Sequence, residues 1–209
     1  MKFLSGAFAL ALSSLVTAFT NPISWLDLPD VDIRNINGTY YYSTSTFHFS
    51  PGAPILRSHD LVNWEIIGHS VPSLGVLGSQ YTLTGPSPSQ RAYRGGIWAS
   101  FFDRNSHDGQ WYWGGCINFW RTVIYKASAP EGPWQQIADF QGTCFYDAGL
   151  LIDDDGTPYV SYKDTNIWVA RLSNDFKSIA EKRVVFTLAN TSMCACRFIY
   201  PNSHFLIGQ

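Results

Sequence analysis

Three aspartates stand where they could move protons. The stretch Leu28–Arg34, LPDVDIR, sets Asp30 and Asp32 on either side of Val31, and Asp147 follows two aromatics in CFYDAGLLIDDDGTPYVSY. Side chains alternate between the faces of a strand, so Asp30 and Asp32 are expected to point one way. Val31 and Ile33 then point the other way, as anchors between sheets. Asp147 precedes the apolar run Ala148–Ile152 and is read as the opening of a second strand of the same kind. Carboxylates that begin separate strands can converge on one pocket. Two of them, one activating water and one managing a leaving group, are the pair that hydrolysis of a glycosidic bond requires.

Each aspartate also has an ordinary structural role open to it. Asp30 follows Pro29 and suits a turn. Asp147 could cap the start of a strand, and Asp32 could pair with Arg34 or with backbone amides. The triplet Asp153, Asp154, Asp155 ends in Gly156 and reads as a solvated hairpin turn, outside the chemistry.

The elements that must position these groups repeat along the chain. Three segments, opening NGTYYYSTSTF, DGQWYWGGCINF and DGTPYVSYKDT, each begin with an Asn-Gly or Asp-Gly turn that feeds an aromatic strand. That dipeptide between apolar runs is a strong hairpin signal. A second apolar strand follows and ends at Ser58, Ser128 or Ser173, and six residues beyond each serine stands Trp64, Trp134 or Ile179. Recurrence at such offsets predicts an all-β fold of repeated sheets, as in the blades of a β-propeller; a sandwich of short strands accounts for the strands but not for the offsets. Four strands with their connections take roughly 40–50 residues, so the chain holds about three blades and part of a fourth.

Composition narrows the partner. Aromatics make up 16% and charged residues 14% of the chain, and the formal charge is −2. That argues against disorder and against nucleic acid, and points to a neutral partner such as carbohydrate. Residues 1–18, MKFLSGAFALALSSLVTA, have the charged tip, apolar run and small-residue end of a cleaved signal peptide. The apolar run is short for a membrane anchor, so residues 19–209 are expected to form one secreted domain. Export permits disulfides among Cys116, Cys144, Cys194 and Cys196. Of the three pairings, Cys116–Cys144 is favoured over a zinc site, for which the spacing is poor. Asn37 and Asn190 lie in glycosylation sequons, although Asn37 also suits a turn.

The segments PDVDIR, STSTFHFSPGAPILRSHDLVNWEIIGH, GGIWAS and YDAGLLIDDDGTPYVSY, in that order, resemble fungal members of glycoside hydrolase family 43. The resemblance runs from about Asn21 to about Phe186. It implies a five-bladed β-propeller and an inverting β-xylosidase or α-L-arabinofuranosidase acting on plant-wall pentose polymers or their oligosaccharides; no cofactor or metal is expected of this chain. It assigns Asp30 as general base and Asp147 as the residue that raises the pKa of the acid. Phe47 and Trp98 become walls of the pocket for the terminal sugar. An inverting pair leaves roughly 6.5–9.5 Å for water between base and acid.

Two departures stand out. Ser100 replaces a proline of the family pattern. The family's general acid, a glutamate before Gly-x-Arg-Phe, aligns with Cys194 in TSMCACRFIYPNSHFLIGQ, and a thiol is a poor substitute. Glu181 is read as an exposed turn or edge residue. From about Thr191 the pattern is lost, which suggests a truncated or mis-spliced gene product, or a carbohydrate-binding relative without catalysis.

Overall fold

The computed structural model describes residues 20–82 and 95–187. The expected signal peptide, Asn190, Cys194 and Cys196 lie outside the described residues.

Among the described residues, twelve strands form three antiparallel sheets, each a four-strand meander in chain order. The first blade contains β1 (Asp32–Ile36), β2 (Thr39–Ser43), β3 (Gly52–Ser58) and β4 (Glu65–Val71). The second contains β5 (Ile97–Arg104), β6 (Trp111–Ile117), β7 (Arg121–Ala127) and β8 (Gln135–Phe140). The third contains β9 (Tyr146–Ile152), β10 (Pro158–Lys163), β11 (Ile167–Leu172) and β12 (Ile179–Phe186). Two 3-10 turns, Leu74–Leu77 and Ser79–Thr82, follow the first blade.

The turns that the sequence marks do join the strands of each blade. Asn37 and Gly38 take φ of 53° and 82°, the left-handed pair of a tight hairpin between β1 and β2. Gly109 and Gly156, with φ of 71° and 84°, serve the corresponding turns of the other blades. The serine at the end of the third strand organises the next turn. Ser58 Oγ accepts the amides of Asp60 and Leu61, and Ser173 Oγ accepts the amide of Ser178.

Period-two patterning packs the blades against one another. In the middle blade, Phe102, Trp111, Trp113, Val123 and Tyr125 face the first blade, where they join Ile55, Val71 and Leu74. Phe101, Tyr112 and Ile124, the alternate residues, face the third blade and meet Leu150, Val160 and Phe176. With both faces covered, β6 (WYWGGCI) is buried along its whole length. Gly114 is required there: a Cβ would lie 2.1 Å from the Phe101 ring.

The inner strands β1, β5 and β9 lie side by side, and Arg34 joins all three. Its guanidinium donates to Phe102 O at 2.8 Å and to Leu150 O at 3.1 Å, and pairs with Asp103 at 3.2 Å and Asp32 at 3.6 Å. Asp32 in turn accepts the Phe102 amide at 2.9 Å and is 2% exposed. The expectation that Asp32 shares a wet cavity with Asp30 is therefore corrected; its role is the alternative one, partner to Arg34 and to an amide. Val31 and Ile33 are 45% and 41% exposed, so they do not anchor the strand between sheets either. The reason is local. An extra residue enters the strand just before Asp32 and breaks the simple alternation.

Candidate active site

That extra residue recurs in each of the three described blades. In the first, Asp32 pairs with Ser43 while the Ser45 amide bonds Pro29 O at 3.1 Å, so Asp30 and Val31 together oppose Thr44. In the second, Ser100 pairs with Gly115 and Ile97 with Ile117, so Trp98 and Ala99 oppose Cys116. In the third, Gly149 pairs with Ser161 and Tyr146 with Lys163, so Asp147 and Ala148 oppose Tyr162. Each is a one-residue β-bulge, a device that re-aims a side chain at the end of a strand. Asp30, Trp98 and Asp147 occupy the same first position of three equivalent bulges. Asp30 and Asp147 also share left-handed backbone, with φ of 58° and 49°. Aspartate tolerates that conformation better than most residues, and strain of this kind gathers at functional sites.

The three bulges lie at one end of the inner strands. Asp30 is exposed, and Ser45 Oγ donates to its Oδ2 at 2.7 Å. The backbone leading to it is held by Tyr42 Oη on Leu28 O and Thr44 Oγ1 on Pro29 O. Two residues past Ser45, Phe47 forms an antiparallel bridge with Ile97, both bonds 2.9 Å, at the start of β5. Gly96 makes that approach possible, since a Cβ there would lie 1.6 Å from Phe47 O.

Aromatic rings then run from the first blade to the third. Phe47 meets Trp98 edge to face at a centroid distance of 4.9 Å. Trp98 meets Phe119 at 4.5 Å, and Phe119 meets Tyr146, the neighbour of Asp147, at 5.7 Å. Phe47 and Trp98, expected as pocket walls, are thus in mutual contact. The Trp98 indole N–H is buried and has no hydrogen-bond partner among the described residues. Ser45, Tyr146 and Phe119 are additions that the sequence reading did not make. Phe119 had a signal available: Asn-Phe-Trp fills a hairpin turn where small or polar residues are usual.

Asp147 is half-buried, and its approach is braced from the middle blade. A disulfide joins Cys144 to Cys116, the residue opposite the Trp98 bulge. Next to it the Phe145 amide donates to Thr122 Oγ1 at 2.8 Å. Ser100 is fully buried, and its hydroxyl and that of Ser43 each accept the Trp113 indole N–H at 3.1 Å. Below the site Asp103 is displaced upward in pKa, chiefly by burial, with Arg34 and the Arg104 amide pulling the other way. Glu181 lies on the outermost strand of the third blade, paired with Arg171 at 3.7 Å and Arg183 at 2.5 Å. Among the described residues no group of His, Cys, Asp and Glu is arranged to hold a metal ion.

Three four-stranded sheets packed face to face, with acidic and aromatic residues gathered at one end of their inner strands, are the blades of a β-propeller. Residues 19–202 match the sequence profile of Glycosyl hydrolases family 43, and the chain belongs to that family, whose members are glycosidases that hydrolyse O-glycosyl bonds. The three sheets are blades of its five-bladed propeller. A β-xylosidase of Formosa agariphila is 37% identical over 121 residues, which are 56% of this chain and 19% of the relative. A xylosidase/arabinosidase of Humicola insolens is 33% identical over 145 residues, 65% of this chain and 24% of the relative. Among solved structures, a family 43 enzyme engineered to display both endo-xylanase and exo-arabinofuranosidase activity superposes with a TM-score of 0.74 at 39% identity. That superposition covers 82% of this chain and 34% of the other. The chain therefore spans about a fifth to a third of the length of these relatives.

Proposed function

We propose that this is a secreted glycoside hydrolase of inverting type, acting on terminal pentoses of xylan- or arabinan-type saccharides. The single observation that carries the reading is the placement of Asp30 and Asp147 on equivalent bulges, joined by a continuous wall of rings. In this reading Asp30, oriented by Ser45, takes a proton from the attacking water. Asp147 holds the acid in place and keeps its proton on by the repulsion of a second negative charge. Phe47 and Trp98 stack the apolar face of the sugar.

The position that the motif aligns with the acid, Cys194, lies outside the described residues. Little turnover of ordinary glycosides is expected of the chain as it stands, and a carbohydrate-binding role without catalysis is the second reading on that account.

The test is a substrate that needs no acid. A 2,4-dinitrophenyl β-xyloside or α-L-arabinofuranoside carries a leaving group that departs unprotonated, so the base and pocket alone should support hydrolysis. Proton NMR should show the product sugar with inverted configuration, and Asp30→Asn should lower the rate about 10²–10⁴-fold. Retained configuration, or an Asp30→Asn chain as fast as its parent, would overturn the assignment. Binding of sugar without any hydrolysis selects the second reading.

A further inference from the structure

We propose that Asn37, in the turn between β1 and β2, is an N-glycosylation site, occupied when the chain passes through a eukaryotic secretory compartment. The inference rests on the secretion in the reading above and adds a modified residue to it.

The sequon Asn37-Gly38-Thr39 is also an Asn-Gly turn, and the turn alone accounts for an asparagine there. The other blades separate the two roles. Their equivalent turns carry Asp108-Gly109 and Asp155-Gly156, and each carboxylate holds its own turn. Asp108 Oδ1 accepts the Gln110 amide at 2.9 Å, and Asp155 Oδ1 accepts the Thr157 amide at 2.8 Å. In the first blade that work passes to Asn35, whose Oδ1 accepts the Gly38 amide at 3.0 Å. The Asn37 carboxamide makes no hydrogen bond to another described residue. Thr39 Oγ1, the hydroxyl that completes the signal, lies 3.5 Å from His59 Nδ1, a long contact that holds little. Asn118 shows the turn role without the signal: its φ is 55°, and Trp120 stands where the hydroxyl would be.

The surroundings have room for a glycan. Asn37 and Gly38 are both exposed, and a Cβ built on Gly38 would meet nothing within 4 Å. Asn37 and Asp30 lie beyond opposite ends of β1, about 20 Å apart at the rise of a strand. A glycan on Asn37 therefore extends into solvent and leaves the candidate active site uncovered. In the transfer, which precedes folding, Asn37 Nδ2 attacks the anomeric carbon of an oligosaccharide linked to a lipid pyrophosphate. The N–C bond forms as the C–O bond breaks, the lipid pyrophosphate leaves with the electron pair, and Nδ2 gives up one proton.

The test expresses the 209-residue chain in yeast twice, once with its own residues 1–18 and once with a heterologous secretion leader in their place. Glycans are released in heavy-oxygen water, which marks each formerly glycosylated asparagine, and mass spectrometry reads the tryptic peptide Asn35–Arg57. Most copies of that peptide should carry the mark at Asn37. In an Asn190→Gln background, which removes the second sequon, Asn37→Gly should take the remaining glycan off the intact mass. Glycine suits the left-handed position, so the turn survives. Thr39→Ala should have the same effect with Asn37 still present, and Thr39→Ser should keep the glycan. Reading total protein, cells and medium together, makes the result independent of folding and export. An unmarked Asn37 behind the heterologous leader, or an intact mass that Asn37→Gly leaves unchanged, overturns the site. A mark that appears only behind the heterologous leader leaves the site standing and overturns secretion instead. An endoglycosidase should trim the glycan from the folded chain; release only after denaturation would overturn its solvent-facing placement.

Discussion

Asp30 and Asp147 are the same residue of the first and third blades: each is the first member of a one-residue bulge at the start of an inner strand, and each has left-handed backbone. The third equivalent position holds Trp98. The repeat thus places a carboxylate, a ring and a carboxylate side by side at one end of the propeller.

Because asparagine adopts the left-handed region as readily as aspartate, Asp147→Asn should change folding stability by less than about 0.5 kcal/mol. On the dinitrophenyl glycoside, which needs no acid, the same substitution should lower the rate far less than Asp30→Asn does, because Asp147 acts through the acid. Urea unfolding alongside the dinitrophenyl glycoside assay separates the two. A large loss of stability would make Asp147 a structural cap instead.

Arg34 joins the three inner strands through Phe102, Asp103 and Leu150, with Asp32 held under it. Arg34→Ala leaves Asp32 and Asp103 as facing carboxylates without a cation. We expect a loss of about 2–4 kcal/mol in unfolding free energy. Asp32→Asn keeps an acceptor for the Phe102 amide and should cost clearly less.

The raised pKa of Asp103 predicts a pH dependence of definite sign. Its folded value lies above the ordinary 3.8, so the folded protein binds this proton more tightly than the unfolded chain. The stability that the proton contributes is complete below the unfolded pKa and is lost as pH rises through the folded one. Asp103→Asn, which imitates the neutral form, should therefore stabilise the protein at pH 7 relative to its effect at pH 3. Parallel denaturant titrations at the two pH values read the difference.

Reduction of Cys116–Cys144, which closes a separation of 28 residues, should lower stability by about 3–4 kcal/mol in the chain-entropy account. Because the bridge braces the approach to Asp147, the reduced protein should also bind sugar more weakly at temperatures where it is still folded. Calorimetry with and without reductant checks both effects.

Gly96→Ala is expected to be the most damaging small substitution at the site. Its Cβ would fall 1.6 Å from Phe47 O, against backbone that cannot yield without breaking the Phe47–Ile97 bridge. A loss of about 3 kcal/mol or more, or failure to fold, should follow. Gly52→Ala meets a movable Ile97 methyl at 2.3 Å and should be milder.

By itself the sequence determined the blades. Asn-Gly and Asp-Gly turns, aromatic alternation and a serine six residues before a large apolar residue are local signals, and hairpin meanders are local structures. The family motifs likewise named Asp30, Asp147, Phe47 and Trp98 from short matching stretches. The roles of Val31, Ile33 and Asp32 were decided only in three dimensions. Strand alternation holds while the register is unbroken, and a bulge depends on which residues oppose it across the sheet, here Thr44, Cys116 and Tyr162. Tertiary structure likewise set Arg34 against two other blades and Phe119 between Trp98 and Tyr146. Such contacts join residues distant in the chain, and no local pattern encodes them.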